Sequence, residues 1–244
     1  MNNGEFPWHD QVTQDLLLLL NDEIGYAAPE APEVPIAGLP DIDSKHHIAL
    51  CLGHGREGDE GNVGFGGESE EEYNFPLLSA VASRLESRGF KVSVITDYEG
   101  KGYTAAMTWL AHKLRTIGAT CALEFHFNAA NKRARGHEVL HWEGSQVGVT
   151  LAGSLLRALD EEFPEQPSRG LKPRSSRNRG ALFLSLTHCP AALLEPFFGD
   201  QRDDWKKFSS AQEFKRLANA YAEGVCDWIK LEDERREYER SKAA

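Results

Sequence analysis

The chain has 244 residues, 41% apolar and 27% charged, enough for one α/β domain with a buried core; this composition excludes whole-chain disorder, coiled coil and collagen. Its formal net charge of −11 argues against a nucleic-acid partner held by phosphate neutralisation. The acids are unevenly placed, since residues 1 to 45 hold nine of them against the single base Lys45, and the remainder is close to balanced.

In chain order, residues 8 to 24 read as a short helix. Residues 27 to 44 contain Pro29, Pro32, Pro35 and Pro40, which prevent regular structure and make a semi-extended linker. Residues 1–45 are therefore expected to form an acidic extension and residues 46–244 a single working domain. The apolar run Leu16 to Leu20 is too short and too acid-flanked for a secretory signal. No stretch approaches the roughly 18 to 20 apolar residues that cross a bilayer. The expectation is a protein made in the cytoplasm without a signal peptide or stable membrane insertion. Its four cysteines (Cys51, Cys121, Cys189, Cys226) form no CxxC pair and read as reduced thiols.

From His47 the pattern alternates. HIALCLG reads as a strand, Asn74 to Arg88 as a helix, KVSVIT as a strand and Thr104 to Ile117 as a helix. ATCALEFHF and HEVLHW read as strands, followed by a helix from Ser145 to Glu162. ALFLSL and AALLE read as strands, and a last helix runs from Ala211 to about Tyr238. Short apolar strands between amphipathic helices indicate an α/β sheet covered on both faces.

Reactive groups in such sheets collect at the carboxyl ends of strands. Three strands here end in one. The first runs into Gly53-His54-Gly55, the ATCALEF strand into His126-Phe127-Asn128, and AALLE ends at Glu195, where Pro196 stops the ladder. A fourth group comes from a helix, where Glu70, Asn74, Leu77 and Val81 follow one inward stripe. Pro76, tolerated only near the first turn, predicts a helix start near residues 71 to 75 and leaves Glu71 or Glu72 as rivals for the inward position. Taken singly, GHG is a turn, His126 a core histidine, Glu70 part of a solvated acidic face and Glu195 an arginine partner. Together they match an open catalytic zinc site: two histidines and a carboxylate as ligands, with a second carboxylate as proton carrier. A Cys/His nucleophile built on Cys51 or Cys189 is the competing chemistry. Cys51 lies inside an apolar strand, and adjacent Cys189 and His188 point apart.

The order of these motifs, GHG, then E-x-x-x-N opening a helix, H-x-N-A ending a strand and L-L-E-P-F-F, resembles the zinc-dependent N-acetylmuramoyl-L-alanine amidases of the Amidase_3 type. The similarity extends over about residues 47 to 230 and includes GHEVLHW and RGLK. It implies a mixed, mostly parallel sheet, one zinc ion, and hydrolysis of the amide between N-acetylmuramic acid and L-alanine of the peptidoglycan stem peptide. Carried over by position, it implies His54, Glu70 and His126 as zinc ligands, Glu195 as the catalytic carboxylate, and Asn74 and Asn128 in supporting roles, Asn128 towards substrate. The chain departs from the family at Glu124, where a small residue is usual, at Arg56, where glycine is usual, and around Thr96-Asp97, where arginine is usual.

Charge within the domain is also patterned. Residues 56 to 72 hold seven acids and one base, whereas residues 169 to 179 hold five bases and no acid. That basic run reads as a loop whose Arg177 and Arg179 bind stem-peptide carboxylates, or as a solvated loop. The alternatives to a peptidoglycan amidase are another zinc amidohydrolase or carboxypeptidase on small acyl amino acids or peptides, and a non-catalytic wall-binding module. With no signal peptide expected, a phage-type endolysin acting on the wall after release is the anticipated setting.

Overall fold

The computed structural model describes residues 45–243 except 57, 177 and 179, so the expected helix at 8 to 24, its linker, and both Arg177 and Arg179 lie outside the described residues. Six strands form one sheet: β1 (His47–Leu52), β2 (Lys91–Ile95), β3 (Cys121–Phe125), β4 (His137–Trp142), β5 (Ser168–Arg174) and β6 (Ala191–Glu195). Their order is β2-β1-β3-β6-β4-β5, with every pairing parallel except β4 with β6. The sheet is thus mixed and mostly parallel. Because β4 runs against β6, its amino end lies at the edge where β1, β3 and β6 finish, and Glu138 stands opposite Glu195.

The helices are α1 (Glu70–Glu86), α2 (Tyr103–Ile117), α3 (Gln146–Glu162), α4 (Ala181–Leu186), α5 (Arg202–Phe208) and α6 (Ala211–Ala243). Side chains alternate across the sheet, as the two-residue repeat of a strand requires. Ile48, Leu50, Leu123, Phe125 and Leu194 face a large core with α1, α3 and α6. Ala49, Cys51, Ala122, Leu140, Ala191 and Leu193 face a smaller core with α2 and the six-residue α4. Among the described residues, no helix is long and apolar enough to cross a membrane.

Three local expectations are corrected. ALFLSL is helix α4 rather than a strand: Gly180 enters it with φ 77, and Leu182 and Leu184 then pack on the smaller core. Six apolar residues cannot by themselves separate strand from buried helix. The segment taken as a basic loop is in its first part β5, an edge strand beside β4, where Pro173 is compatible with pairing on one side only. Helix α1 begins at Glu70, ahead of the range inferred from Pro76. A capping box sets that start, with Ser69 Oγ accepting from Glu72 N (3.1 Å) and Glu72 Oε2 accepting from Ser69 N (2.7 Å). Pro76 consequently sits inside the helix.

Candidate metal centre

The capping box also separates the three rival glutamates. Glu72 is committed to it and is exposed, Glu71 is half-buried, and Glu70 at the first helical position is 1% exposed and turned to the sheet edge. There Glu70 Oε1 accepts from Phe127 N (3.1 Å), and Oε2 accepts from Asn62 N (3.1 Å) and Asn62 Nδ2 (3.0 Å). Asn74 is fully buried and donates to the Glu70 carbonyl (3.0 Å), so its role is to hold the helix turn that carries Glu70.

Gly53 lets β1 pass close to β3: an added Cβ would lie 2.3 Å from Phe125 O and 2.5 Å from His126 Cε1. The left-handed turn itself is made by His54, at φ 62, a conformation that costs a non-glycine residue about 1–2 kcal/mol. His54 Nδ1 donates to Asp59 Oδ1 (2.8 Å), which directs Nε2 toward Glu70 Oε2 (3.4 Å). His126 Nδ1 lies 2.8 Å from Glu70 Oε1, and its Nε2 lies 3.3 Å from Glu124 Oε2, within ion-pair reach but not aligned as a hydrogen bond. One donor atom from each of His54, Glu70 and His126 lies within 4.8 Å of the others. Two imidazole nitrogens and one carboxylate oxygen are a donor set whose chemistry suits zinc.

The electrostatics agree. Burial opposes charge on His126, but Glu124 and Glu70 outweigh it and raise its pKa well above the ordinary value. Burial likewise opposes the cation of His54, yet Glu70 and Asp59 raise it. Glu70, against its own desolvation, is held well below the usual carboxylate range by His126 and His54. The carboxylates that favour a proton on the two imidazoles would favour a metal cation there too, and Glu70 is held in its anionic form.

Glu195 ends β6 with its Oε2 shielded and unpaired. Burial pushes it up to about 8; His126 and Arg174 work against the shift, and Glu70 and Glu138 add to it. Glu138 accepts from Asn128 Nδ2 (2.9 Å) and Arg169 Nε (2.6 Å), with Arg169 also lying 4.9 Å from the centre of the Phe198 ring. Fully buried Asp204 ties the flanking segments together, accepting from Gly136 N and Phe198 N (both 3.2 Å). A cleft of about 570 Å³ joins these parts, with His54, Glu70, His126, Asn128 and Glu195 among its lining. Tyr103 and Met107 from α2 and Arg174 from β5 also line it.

All four residues expected to carry the chemistry therefore meet in one cleft, with Asn128 beside them. Arg174 comes from the basic run at 169 to 179, whereas Asp59 and Glu138 were not anticipated. Asp59 stood in the acidic loop with nothing to mark it from its neighbours, and Glu138 opens an apolar run whose direction sequence does not disclose. The cysteines take no part: all four are free, and burial raises the thiols of Cys51 and Cys121 well above the ordinary value and that of Cys189 to about 12.

Residues 48–227 match the family model Amidase_3, N-acetylmuramoyl-L-alanine amidase. Among solved structures, the chain is similar to the N-acetylmuramoyl-L-alanine amidase AmiC2 of Nostoc punctiforme, at 21% identity and TM-score 0.65 over 76% of this chain and 98% of that one. It is similar to an N-acetylmuramoyl-L-alanine amidase from Clostridium difficile 630, at 18% identity and TM-score 0.67 over 77% and 98%. It is also similar to the catalytic domain of the CD27L endolysin targeting Clostridium difficile, at 25% identity and TM-score 0.62 over 75% and 97%. A comparison with curated proteins returns no match.

Proposed function

This chain belongs to the Amidase_3 family of N-acetylmuramoyl-L-alanine amidases, and from that premise we propose that His54, Glu70 and His126 hold a zinc ion and that Glu195 is the general base for hydrolysis of the peptidoglycan amide. The convergence of the three donor atoms within 4.8 Å carries the reading. When bound, zinc supplies the Lewis acidity that activates a water and polarises a carbonyl. The protein residues do the rest. Asp59 holds the His54 ring with Nε2 turned inward, and the Asn62 and Phe127 amides orient the Glu70 carboxylate. Glu195 takes the proton of the attacking water on its carboxylate and returns it to the nitrogen of the departing L-alanine. No covalent intermediate is required, in keeping with the raised thiols.

Asn128, held by Glu138, is proposed to face the substrate from the cleft wall, and Arg177 and Arg179 to meet stem-peptide carboxylates. Residues 46–244 form the catalytic domain in this reading and residues 1–45 an extension to it. The endolysin neighbour supports lysis of a cell wall as the setting.

The deciding experiment is digestion of purified peptidoglycan with and without a chelator, with mass analysis of the products. Intact glycan strands plus free peptides beginning with L-alanine are expected, and the chelator should suppress them. Products cut within the peptide would move the assignment to a carboxypeptidase or another amidohydrolase.

A further inference from the structure

Both histidines of the centre touch a carboxylate on the side away from Glu70. For His54 it is Asp59, on a loop at the mouth of the cleft. For His126 it is Glu124, two residues earlier in β3, where strand alternation places both side chains on the same face of the sheet. Glu124 is 3% exposed and stands between Cys51 of β1 and Leu193 of β6 in the register, a central-strand position where an acid is costly without a partner. Among the described residues its one ion-pair contact is His126 Nε2, at 3.3 Å. Leu140, Leu193, Ala106 and Met107 also line the cleft and offer no side-chain hydrogen-bonding group, while the buried Tyr98 hydroxyl is a further polar neighbour of Glu124.

We propose that Glu124 is a positioning residue for the metal centre: its carboxylate, at ion-pair distance from His126 Nε2, keeps the ring proton on that nitrogen, which fixes the tautomer and presents Nδ1 to the ion beside Glu70. The inference rests on the zinc reading above. The geometry favours it because the two ring nitrogens face opposite carboxylates, Nδ1 toward Glu70 Oε1 at 2.8 Å and Nε2 toward Glu124 Oε2. A neutral imidazole carries one proton, and only the nitrogen without it can bind a metal. A negative acceptor buried at Nε2 therefore selects Nδ1 as the ligand atom and makes it more basic, as carboxylates behind metal-bound imidazoles do. Glu124 need not contact substrate, so its removal should weaken metal retention ahead of any change in the products.

The test is zinc affinity of the full chain, by competition with a chromogenic chelator, for the wild type, Glu124→Gln and Glu124→Ala. Thermal unfolding of each metal-free form serves as the folding control. Replacement by alanine should raise the zinc dissociation constant about 10- to 100-fold. Glutamine, which keeps an acceptor oxygen at the same reach, should restore much of the loss. In the zinc-loaded wild type labelled with ¹⁵N-histidine, His126 should show a slowly exchanging proton on Nε2 and none on Nδ1. That spectrum can still refute the proposal if the alanine variant fails to fold, and the glutamine variant's zinc affinity then tests Glu124 itself. A proton on Nδ1, or zinc affinities equal in all three proteins, would overturn the role of Glu124 and leave the metal centre standing. A wild type that takes up no zinc would instead remove the centre, and this inference with it.

Discussion

The two ends of the central strands each hold buried histidines, and the contrast between them separates structure from chemistry. At the amino end of β1, His47 is 5% exposed, and both its ring nitrogens are paired with neutral groups, Nδ1 with Ile117 O and Nε2 with Ser93 Oγ, each at 2.8 Å. Its pKa is lowered by desolvation, despite the Ile117 carbonyl. At the carboxyl end of β3, His126 is somewhat more exposed, its side chain at 14%, and faces Glu70 and Glu124, and its pKa is raised well above the ordinary value. Desolvation opposes a charge on both. What differs is the charge of the partners, and that decides whether a buried imidazole finishes a hydrogen-bond network or can ligate a cation.

The largest effect should come from breaking the charged end. His126→Ala is expected to reduce bound zinc to none and to lower the rate of peptidoglycan hydrolysis by about 10³-fold or more. In His47→Ala, zinc measured by atomic absorption should stay at wild-type stoichiometry. Equal loss of zinc from both variants would erase the distinction.

Glu195→Gln probes the same end without touching a ligand. Zinc content should persist while kcat falls by about 10²- to 10⁴-fold. A variant that keeps its rate would remove Glu195 as the base.

The two ends should also respond to pH with opposite sign in metal-free protein. A carboxyl pushed up to about 8 costs nothing below its unfolded value near 4.5, and destabilises the fold increasingly from there up to about pH 8, where the cost levels off. Glu195→Gln should therefore stabilise the metal-free protein at pH 8 relative to pH 4.5, by roughly 2–4 kcal/mol after allowance for its partial exposure. The raised pKa of His126 acts in the same sense, since its contribution is present below 6.5 and is lost as pH rises through the folded value. The lowered pKa of His47 acts oppositely, with stability present above 6.5 and lost as pH falls through the folded value. Urea titrations at several pH values, on chelated protein, measure all three.

The smallest effect is expected at His47. Its replacement by alanine leaves Ser93 and the Ile117 carbonyl without their partner and should cost about 1–3 kcal/mol. Activity per folded molecule should be unchanged.

Much of the centre was legible because strand ends have local signatures. His126 follows an unbroken apolar run, Glu195 precedes a proline that stops a ladder, and GHG marks a tight turn; each signal lies within a few residues. The choice among Glu70, Glu71 and Glu72 was less accessible, because Pro76 pointed to a later start, whereas Ser69 and Glu72 fix the first turn by a reciprocal cap. The strand assigned to ALFLSL failed for a related reason, since a short apolar run fits either structure until Gly180 and the core beneath choose one.

What the sequence by itself determined is the set of groups and the strand ends they occupy, because apolar periodicity and turn residues act over a few bonds. Tertiary structure alone decided the company each group keeps. The antiparallel course of β4 brings Glu138 opposite Glu195, and β1 and β3 lie side by side so that His54 and His126 reach one carboxylate. These contacts span 56 residues between Glu70 and His126. They depend on strand order and direction, which pairwise hydrogen bonding and burial settle only when the whole sheet is assembled.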